Sequence, residues 1–522
     1  MTPISSRINR RTALKVAGAG AAALSTGISL TRDGVLAQDA ATPATAVSGE
    51  LIIGKGAEAV GFDPGVVTAV SSIDLLVMAY ENLVYFDDEG TVQPQLAESW
   101  EIVDDLTYVF TLRQGVTFHS GKPLTTDDVV YTFTRIKDEA TASPRASQFV
   151  LVDAIEATDA STVTFRLSAP YGPFLATLAA SYSSIVPLQD PPADFQTTID
   201  GTGPFMLGEY KQDTETTLNA NPGYWQADIP RLASLNYRIL PDEPARLAAI
   251  RTGDIQLTTL ADPVSADSAR TSEGVTVVEQ ETTDYYLLGF NCKQAPFDNE
   301  KVRQALSMAI DRQAIIDAVF FGKGQVTGAI VPTLGDWAQP VDQLPRYTPD
   351  VDGAKALLEE AGVSDLSFKV VVGSLYPEFV SIALVIKDQL SEIGVTMDLD
   401  QVEWGTFVDR WIARDFEAFV SYNGSGNDPD LAVYAMLSTD GSTNAFQFSD
   451  EEVDRLLNNG RTTTDKEERK AFYQEVEVAV AEAAPALFIS TRYAYFATQA
   501  NVTGFAPSSS QTWDTLAQTT VS

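Results

Sequence analysis

The residue types that most often perform chemistry in proteins are scarce in this chain of 522 residues. Its one histidine is His119 and its one cysteine is Cys292, which excludes a multi-histidine zinc site and an intrachain disulfide. His119 lies in a strand-to-turn segment and Cys292 follows an apolar run, so we expect structural roles for both. We therefore predict no catalytic residue, no metal ligand and no cofactor.

Acidic side chains are the exception to this scarcity. The chain has 71 Asp and Glu against 35 Lys and Arg, a formal net charge of −36. A surface this acidic repels nucleic acid, so we expect no nucleic-acid partner. Paired carboxylates are also the machinery of many glycosidases. A secreted hydrolase that uses two carboxylates is therefore an alternative that counting residues leaves open.

Aromatic and polar residues cluster in loop-like segments of the C-terminal half. Aromatic rings offer flat apolar area to a small molecule, and neighbouring amides and backbone groups fix its orientation. We predict a ligand-binding site there. To this site we add Phe62, in an early turn, and Asn291, which follows a mid-chain strand. The predicted ligand-binding residues are Phe62, Asn291, Trp337, Tyr376, Trp404, Tyr422, Asn423, Gly424, Ser425 and Asp428.

The elements that must position these residues alternate between strand and helix. Residues 285–291 form an apolar run typical of a buried strand, and two helices follow, for which Asp298 and Asp311 are predicted caps. Thr125 and Asp128 have the spacing of a capping box for an earlier helix. The same alternation recurs over residues 241–257 and 368–402. This pattern predicts α/β lobes.

The amino terminus has the features of an export signal. Arg10 and Arg11 precede an Ala/Gly-rich run, and Val35-Leu36-Ala37 offers a small-residue cleavage site. We predict a twin-arginine (Tat-type) signal over residues 1–37 and a disordered linker over 38–49. No cysteine follows the run, so we expect no lipid anchor through cysteine. An uncleaved membrane anchor is the alternative.

Several motifs together resemble one known family. The segment 291–324 resembles the signature of the peptide/nickel class of solute-binding proteins that serve ABC importers, known as family 5. Residues 94–101 and the segment GVTFHSGKPL at 115–124 match the same family, as do the motifs that begin at Gly201 and Asn221. The resemblance covers nearly all of the chain from about Leu51.

The resemblance implies a fold. We expect an α/β protein with two lobes of the type II periplasmic-binding-protein kind, joined by two crossing strands. Lobe 1 would span residues 50–288, with an extra subdomain over about 87–200. Lobe 2 would span residues 289–488, and residues 489–522 would return to lobe 1.

It also implies a function: capture of a peptide or peptide-like solute between the lobes and delivery to a membrane permease and its ATPase. The protein would act as a monomer in the periplasm or on the outer face of the cell membrane. One alternative is the same fold binding an oligosaccharide or another non-peptide solute. Another is a receptor or chaperone-like binder that feeds no transporter.

The loop at Tyr422 departs from the family pattern. In dipeptide- and oligopeptide-binding relatives this loop begins with Trp, and an Asp three residues later pairs with the α-ammonium group of the ligand. Here Tyr422 and Ser425 occupy those two positions. A hydroxyl does not neutralise a buried ammonium group. This departure argues against a peptide with a free amino group, unless Asp428 acts as a shifted anchor.

Overall fold

The computed structural model describes residues 47–87, 90–189, 194–261, 263–424, 426–509 and 513–522. The predicted signal and nearly all of the predicted linker lie outside these residues, as does Ser425. Within the described ranges, no helix has the length and apolar character needed to cross a membrane. The same ranges contain no group of three His, Cys, Asp or Glu side chains placed to hold a metal ion.

The first lobe and its subdomain contain short strands and helices up to the strand that leaves the lobe. In chain order these elements are β1 (Glu50–Lys55), α1 (Val70–Leu76), β2 (Val84–Phe86), β3 (Val92–Pro94), β4 (Ala97–Asp104), β5 (Thr107–Leu112), α2 (Thr126–Lys137), β6 (Val152–Ala157), β7 (Thr162–Leu167), α3 (Phe174–Ala179), β8 (Phe205–Lys211), β9 (Glu215–Ala220), β10 (Ser234–Ile239), α4 (Glu243–Thr252), β11 (Leu257–Leu260), α5 (Pro263–Arg270) and β12 (Val275–Phe290).

The second lobe is richer in helix, and the chain then returns to the first lobe. These elements are α6 (Glu300–Met308), α7 (Arg312–Phe320), α8 (Val351–Glu360), β13 (Ser367–Gly373), α9 (Pro377–Ser391), β14 (Thr396–Val402), α10 (Trp404–Ala413), β15 (Ala418–Gly424), α11 (Asp430–Leu437), α12 (Glu451–Thr462), α13 (Lys466–Ala483), β16 (Ala486–Gln499), β17 (Val502–Thr503) and β18 (Thr520–Val521). Short 3₁₀ helices occupy Glu139–Thr141, Ala146–Phe149, Ser181–Ser183, Pro332–Trp337, Val341–Gln343 and Asp514–Gln518.

In the described residues one ten-stranded sheet extends through both lobes, in the order β14-β13-β15-β12-β16-β11-β1-β10-β9-β8. A separate four-stranded antiparallel sheet, β4-β5-β7-β6, forms the subdomain of the first lobe. The expected α/β fold with two lobes is therefore confirmed. The predicted domain boundaries remain predictions, although the predicted end of lobe 1 at residue 288 falls inside β12.

The two long strands β12 and β16 cross between the lobes. Their antiparallel pairing runs from Val275 to Glu281 in the first lobe and resumes at Tyr285 in the second, with a break in register between. In the first lobe β16 pairs with β11, and in the second β12 pairs with β15. An interrupted ladder has fewer backbone hydrogen bonds to resist bending, so we expect a hinge between the lobes at this break.

Alternation along β12 builds the core of the second lobe. Tyr286, Leu288 and Phe290 join the apolar layer with α6 to α9, whereas Tyr285 and Leu287 face the layer with α11 to α13. Successive strand residues point to opposite faces of a sheet, so a strand covered on both faces has no polar side. This explains the continuous apolar run that the sequence shows over residues 285–290.

Three helix N-caps predicted from the sequence can be compared with those in the structure. The side chain of Asp311 accepts from Ala314 N at the start of α7, and the capping box at Thr125 is present, so both predictions are confirmed. The prediction for Asp298 is wrong. Asn299 caps α6 by accepting from Lys301 N, because the helix begins one residue later than its apolar pattern suggested.

His119 and Cys292 both pack structurally. The His119 ring lies 3.1 Å from the carbonyl oxygen of Gly203 and accepts a weak bond from Gly201 N, and burial lowers its pKa. Burial raises the pKa of Cys292 to about 11, which keeps the thiol protonated at neutral pH.

Candidate ligand-binding site

Three of the predicted aromatic residues meet at one edge of the second lobe. Tyr376 follows β13, Trp404 follows β14, and Tyr422 lies near the end of β15. Because β13 is parallel to both β14 and β15, the carboxyl ends of these strands lie at the same edge. The Tyr376 ring lies 5.1 Å from the Trp404 ring and 5.6 Å from the Tyr422 ring, both edge-on. Edge-to-face contacts at these distances are favourable.

A buried cation lies against this aromatic cluster. Arg492 of β16 has its guanidinium 4.8 Å from the centre of the Tyr422 ring and 3.3 Å from a carboxylate oxygen of Asp284. Both Asp284 and Arg492 lie near the register break between β12 and β16. The cluster is thus connected to the region where the strands cross, so a ligand that moves Tyr422 would also act there.

Asn423 and Gly424 continue β15 beyond Tyr422. The amide nitrogen of Asn423 lies 3.1 Å from the sulfur of Met436 and 3.4 Å from the hydroxyl of Tyr285. A Cβ on Gly424 would lie 2.8 Å from an oxygen of Asp284, so glycine permits this close approach. Ser425 lies outside the described residues.

Trp337 and Asp428 come together in a different place, around Arg469. Both carboxylate oxygens of Asp428 accept from Arg469, and the guanidinium lies 5.1 Å from the centre of the Trp337 ring. Asp430 forms a parallel pair with Arg461 and also accepts from Tyr473 at 2.8 Å. A carboxylate neutralised in this way is already committed to the protein, which argues against Asp428 as a shifted ammonium anchor.

Asn291 and Phe62 lie apart from the aromatic cluster. The amide of Asn291 donates to the carbonyl of Phe416 at 3.1 Å, and its oxygen accepts from Gln447 at 2.9 Å. Phe62 packs edge-on against Tyr210 in the first lobe, with ring centres 5.5 Å apart. Both side chains are buried, so we interpret these contacts as packing interactions within each lobe.

A polar crevice of about 290 Å³ lies between the first lobe, the C-terminal segment and the loop after β15. Three carboxylic acids line it, and no Lys, Arg or His does so among the described residues. Its lining is Val77, Met78, Tyr80, Glu81, Asn82, Tyr85, Phe86, Asp87, Pro94, Gln95, Ala179, Ser181, Ser184, Pro204, Tyr224, Gln226, Ile229, Asn427, Ser508, Ser509, Asp514, Ala517 and Gln518. Asn427 is the contribution of the second lobe.

Glu81 is the buried acid of this polar crevice. Burial raises its pKa to about 7, although hydrogen bonds from Thr202, Trp225 and Tyr224 lower it. These donors lie 2.7, 3.0 and 2.8 Å away. The sequence reasoning missed Glu81, because three neutral donors from distant segments create its environment.

A second cavity, the aromatic pocket, has a volume of about 310 Å³ and lies within the second lobe between α10, α11 and the sheet. Its lining is Leu287, Trp404, Phe407, Val408, Trp411, Phe419, Ser421, Tyr422, Asn423, Met436, Thr443, Ala445 and Phe446. Trp404, Tyr422 and Asn423 were predicted as ligand-binding residues. Most of the remainder are apolar residues with the pattern of ordinary core positions, and Ser421 and Thr443 carry no local signal of a binding site.

The two lobes also touch at a distance from the crossing strands. The backbone N–H of Gly172, in the subdomain, donates to the carbonyl of Arg461 at 2.8 Å. The hydroxyl of Thr464 donates to Asp105 at 2.7 Å. Arg461 lies in the last turn of α12 and Thr464 between α12 and α13, a segment called here the α12–α13 turn, so these contacts join the subdomain of the first lobe to the second lobe.

Comparison with known proteins gives a consistent result. Residues 91–445 match the family described as bacterial extracellular solute-binding proteins, family 5. The chain is 31% identical to heme-binding protein A of Haemophilus influenzae, over 81% of this chain and 84% of that protein. It is 30% identical to the dipeptide-binding protein of Escherichia coli, over 85% and 90% respectively.

A solved structure extends the similarity to the whole fold. The ABC transporter substrate-binding protein CtaP of Listeria monocytogenes superposes with a TM-score of 0.84 at 27% identity. The similarity covers 91% of this chain and all of that structure.

Proposed function

Since this chain belongs to the bacterial extracellular solute-binding proteins of family 5, we propose that it captures a small solute between its lobes and delivers it to an ABC importer. The observation that carries this proposal is the pair of crossing strands with a register break, together with the contacts of Gly172 and Thr464 across the crevice. Two rigid lobes on such a hinge close by changing few backbone angles. Solute shifts the population towards the closed form, which a membrane permease can distinguish from the open form.

The solute is a peptide or a peptide-like molecule in our proposal. One relative of this chain, the dipeptide-binding protein of Escherichia coli, supports this class. We propose no chemical step for the chain, which would act as a monomer with the permease and ATPase as its membrane partners.

One observation favours a second candidate, a neutral solute such as a blocked peptide or an oligosaccharide. Asp428 is paired with Arg469 by two hydrogen bonds, so its charge is not available to a free ammonium group. Of the predicted ligand-binding residues, Asp428 is the only one with a carboxylate. A neutral solute needs no such partner.

Export by the twin-arginine route is also part of the proposal. Arg10→Lys combined with Arg11→Lys would leave the protein in the cytoplasm, as measured by cell fractionation. Arg7→Lys is the matched control, because it changes an arginine outside the pair. Export of the double variant at the normal level would contradict this route.

Solute capture can be tested by native mass spectrometry of the purified protein, before and after mild denaturation. We expect a bound small molecule whose mass is lost on unfolding. A protein without one would be titrated with free dipeptides, N-acetylated dipeptides and oligosaccharides. Absence of binding throughout would contradict the proposed function.

Closure can be tested by thiol cross-linking. Asp105→Cys and Thr464→Cys, in a Cys292→Ser background, place two thiols where the side chains now touch. A short bifunctional thiol reagent should join them faster when a solute found by mass spectrometry is added. The two single-cysteine variants are the controls. Equal rates with and without solute would contradict closure on the ligand.

A further inference from the structure

We infer that the solute carries an uncharged aromatic or branched apolar group, which binds in the aromatic pocket of the second lobe. This inference rests on the proposed function and names the chemistry that the site would recognise. It is carried by the shape, rigidity and charge of the pocket, and by its position beside the aromatic cluster at Tyr376.

The walls of the pocket are held in place by stacked rings. Trp404 stacks on Phe407 with ring centres 5.1 Å apart and planes 10° from parallel. Phe419 stacks on Phe446 at 5.9 Å and 11°. Phe407 and Phe419 meet edge-on at 6.5 Å, which joins the two stacks. A ligand therefore finds the surface already formed, with little side-chain freedom left to lose on binding.

Helix α10, which forms one wall, is fixed at both ends. The carboxylate of Glu403 accepts from the backbone N–H groups of Gly405 and Thr406 at its start. Arg410 near its end pairs with Asp400 of β14 at 2.7 Å. These contacts hold α10 beside the sheet at both ends, which favours the open shape of the pocket over inward collapse.

The charge of the lining selects the ligand group. None of the thirteen lining residues is Asp, Glu, Lys, Arg or His. A charged group placed there would lose its hydration and gain no counter-charge. The cavity, at about 310 Å³, is also at the lower end of the range of small-ligand sites, about 300–1,000 Å³. These properties favour a neutral ring or a branched aliphatic group.

The pocket also offers polar atoms next to that group. The Asn423 amide nitrogen has two weak partners among the described residues: the thioether sulfur of Met436, which is a poor acceptor, and the hydroxyl of Tyr285 at a long 3.4 Å. The amide can therefore exchange these contacts for a carbonyl or hydroxyl oxygen of the solute. Since Trp404, Tyr422 and Asn423 line the pocket at the strand ends, the solute would enter from the side of the crevice.

The test uses neutral and charged probes on the full protein. N-acetyl-L-tryptophanamide and N-acetyl-L-leucinamide represent the neutral aromatic and branched groups, and N-acetyl-L-lysinamide is the charged comparison. Affinities are measured by calorimetry, and contact is measured by saturation-transfer NMR. We expect binding of the neutral probes at least tenfold tighter than that of the lysine probe.

Two variants would fill the pocket from opposite sides. Thr443→Trp acts from an exposed position at its mouth, and its control is Ser442→Trp, an exposed neighbour outside the lining. Val408→Trp acts from α10, and its control is Asp409→Trp, again exposed and outside the lining. Each filling variant should weaken binding of the neutral probes at least tenfold, whereas each control should leave it unchanged. The melting temperature shows whether each variant is folded.

The outcomes separate this inference from the proposed function. Neutral probes that fail to bind, or that bind equally to filling variants and controls, would overturn the inference. The inference would also be overturned if the lysine probe bound as tightly as the neutral probes and the filling variants weakened its binding to the same extent. If mass spectrometry still finds a bound solute in those cases, the proposed function stands. If no solute binds at all, the function itself fails.

Discussion

Both carboxylate oxygens of Asp428 accept hydrogen bonds from the guanidinium of Arg469, each at 2.9 Å. The side chains are 7% and 5% exposed. Arg469 also donates to the carbonyl of Gly460 at 3.0 Å, at the end of α12. The pair thus connects the loop after β15 to the α12–α13 turn, which carries the contacts with the first lobe. The role of Asp428 is consequently to hold the loop, and this can be tested.

Asp428→Asn should destabilise the protein strongly. The variant leaves the guanidinium of Arg469 buried without its anion, and loss of one partner from a buried pair costs roughly 3–5 kcal/mol. The free energy of unfolding from urea titration measures this. Asp400→Asn is the control, because its pair with Arg410 is 40% and 26% exposed and is worth about 1 kcal/mol or less. A variant of normal stability that loses dipeptide binding would instead identify Asp428 as a ligand anchor.

Gly172→Ala should weaken solute binding by disfavouring the closed form. A Cβ at this position would lie 2.2 Å from the carbonyl oxygen of Thr463 and 2.6 Å from Nε of Arg469, both in the second lobe. Relief of that clash requires the lobes to separate. Small-angle scattering should show a larger radius of gyration with solute than the wild type has. Gly223→Ala is the control, since its Cβ would meet its nearest neighbour at an ordinary 3.5 Å. Unchanged affinity and radius would contradict the role of this contact in closure.

The carboxyl group of Glu477 should cause part of the pH dependence of the free energy of unfolding. Burial raises its pKa from 4.5 to about 8, although hydrogen bonds from the backbone N–H groups of Gln339 and Ile330 lower it. The folded state therefore holds this proton more tightly than the unfolded state does. The stability from this group is fully present below pH 4.5 and is lost as the pH rises through about 8.

Glu477→Gln should remove that loss, because an amide does not titrate in this range. The melting temperature of the wild type should fall more between pH 5 and pH 8.5 than that of the variant. Glu475→Gln, an exposed neighbour on the same helix, is the control. Parallel pH profiles for wild type and Glu477→Gln would show that this carboxyl does not change protonation on unfolding.

Ser425→Asp should increase affinity for peptides with a free amino group. This prediction rests on the resemblance of the sequence to the family, which predicts Ser425 at the position of the ammonium-binding Asp, and Ser425 lies outside the described residues. Calorimetry with a dipeptide should show tighter binding by the variant, and the N-acetylated form of the same dipeptide should show no gain. Unchanged affinity for both ligands would show that Ser425 does not determine whether peptides with a free amino group bind.

The fold class and many local details are predictable from the sequence alone. Strand and helix alternation, the family motifs and the caps at Asp311 and Thr125 were all readable, because they depend on residues a few positions apart. Even there the reading was precise only to about one residue, since Asn299 and not Asp298 caps α6. The sequence also predicted Tyr376, Trp404 and Tyr422 as ligand-binding residues, but the contact between their rings depends on the parallel pairing of β13 with β14 and β15.

The roles of most of these side chains depend on contacts that form only in the folded protein. Asp428 is part of a conspicuous ligand-loop motif, yet its partner Arg469 lies 41 residues away on helix α13. Phe407 and Phe446 have the pattern of core residues, and their role in a cavity depends on how α10 is anchored beside the sheet. The physical reason is that periodicity and capping are local interactions. Charge pairing and cavity shape depend on which distant segments the packed core brings together.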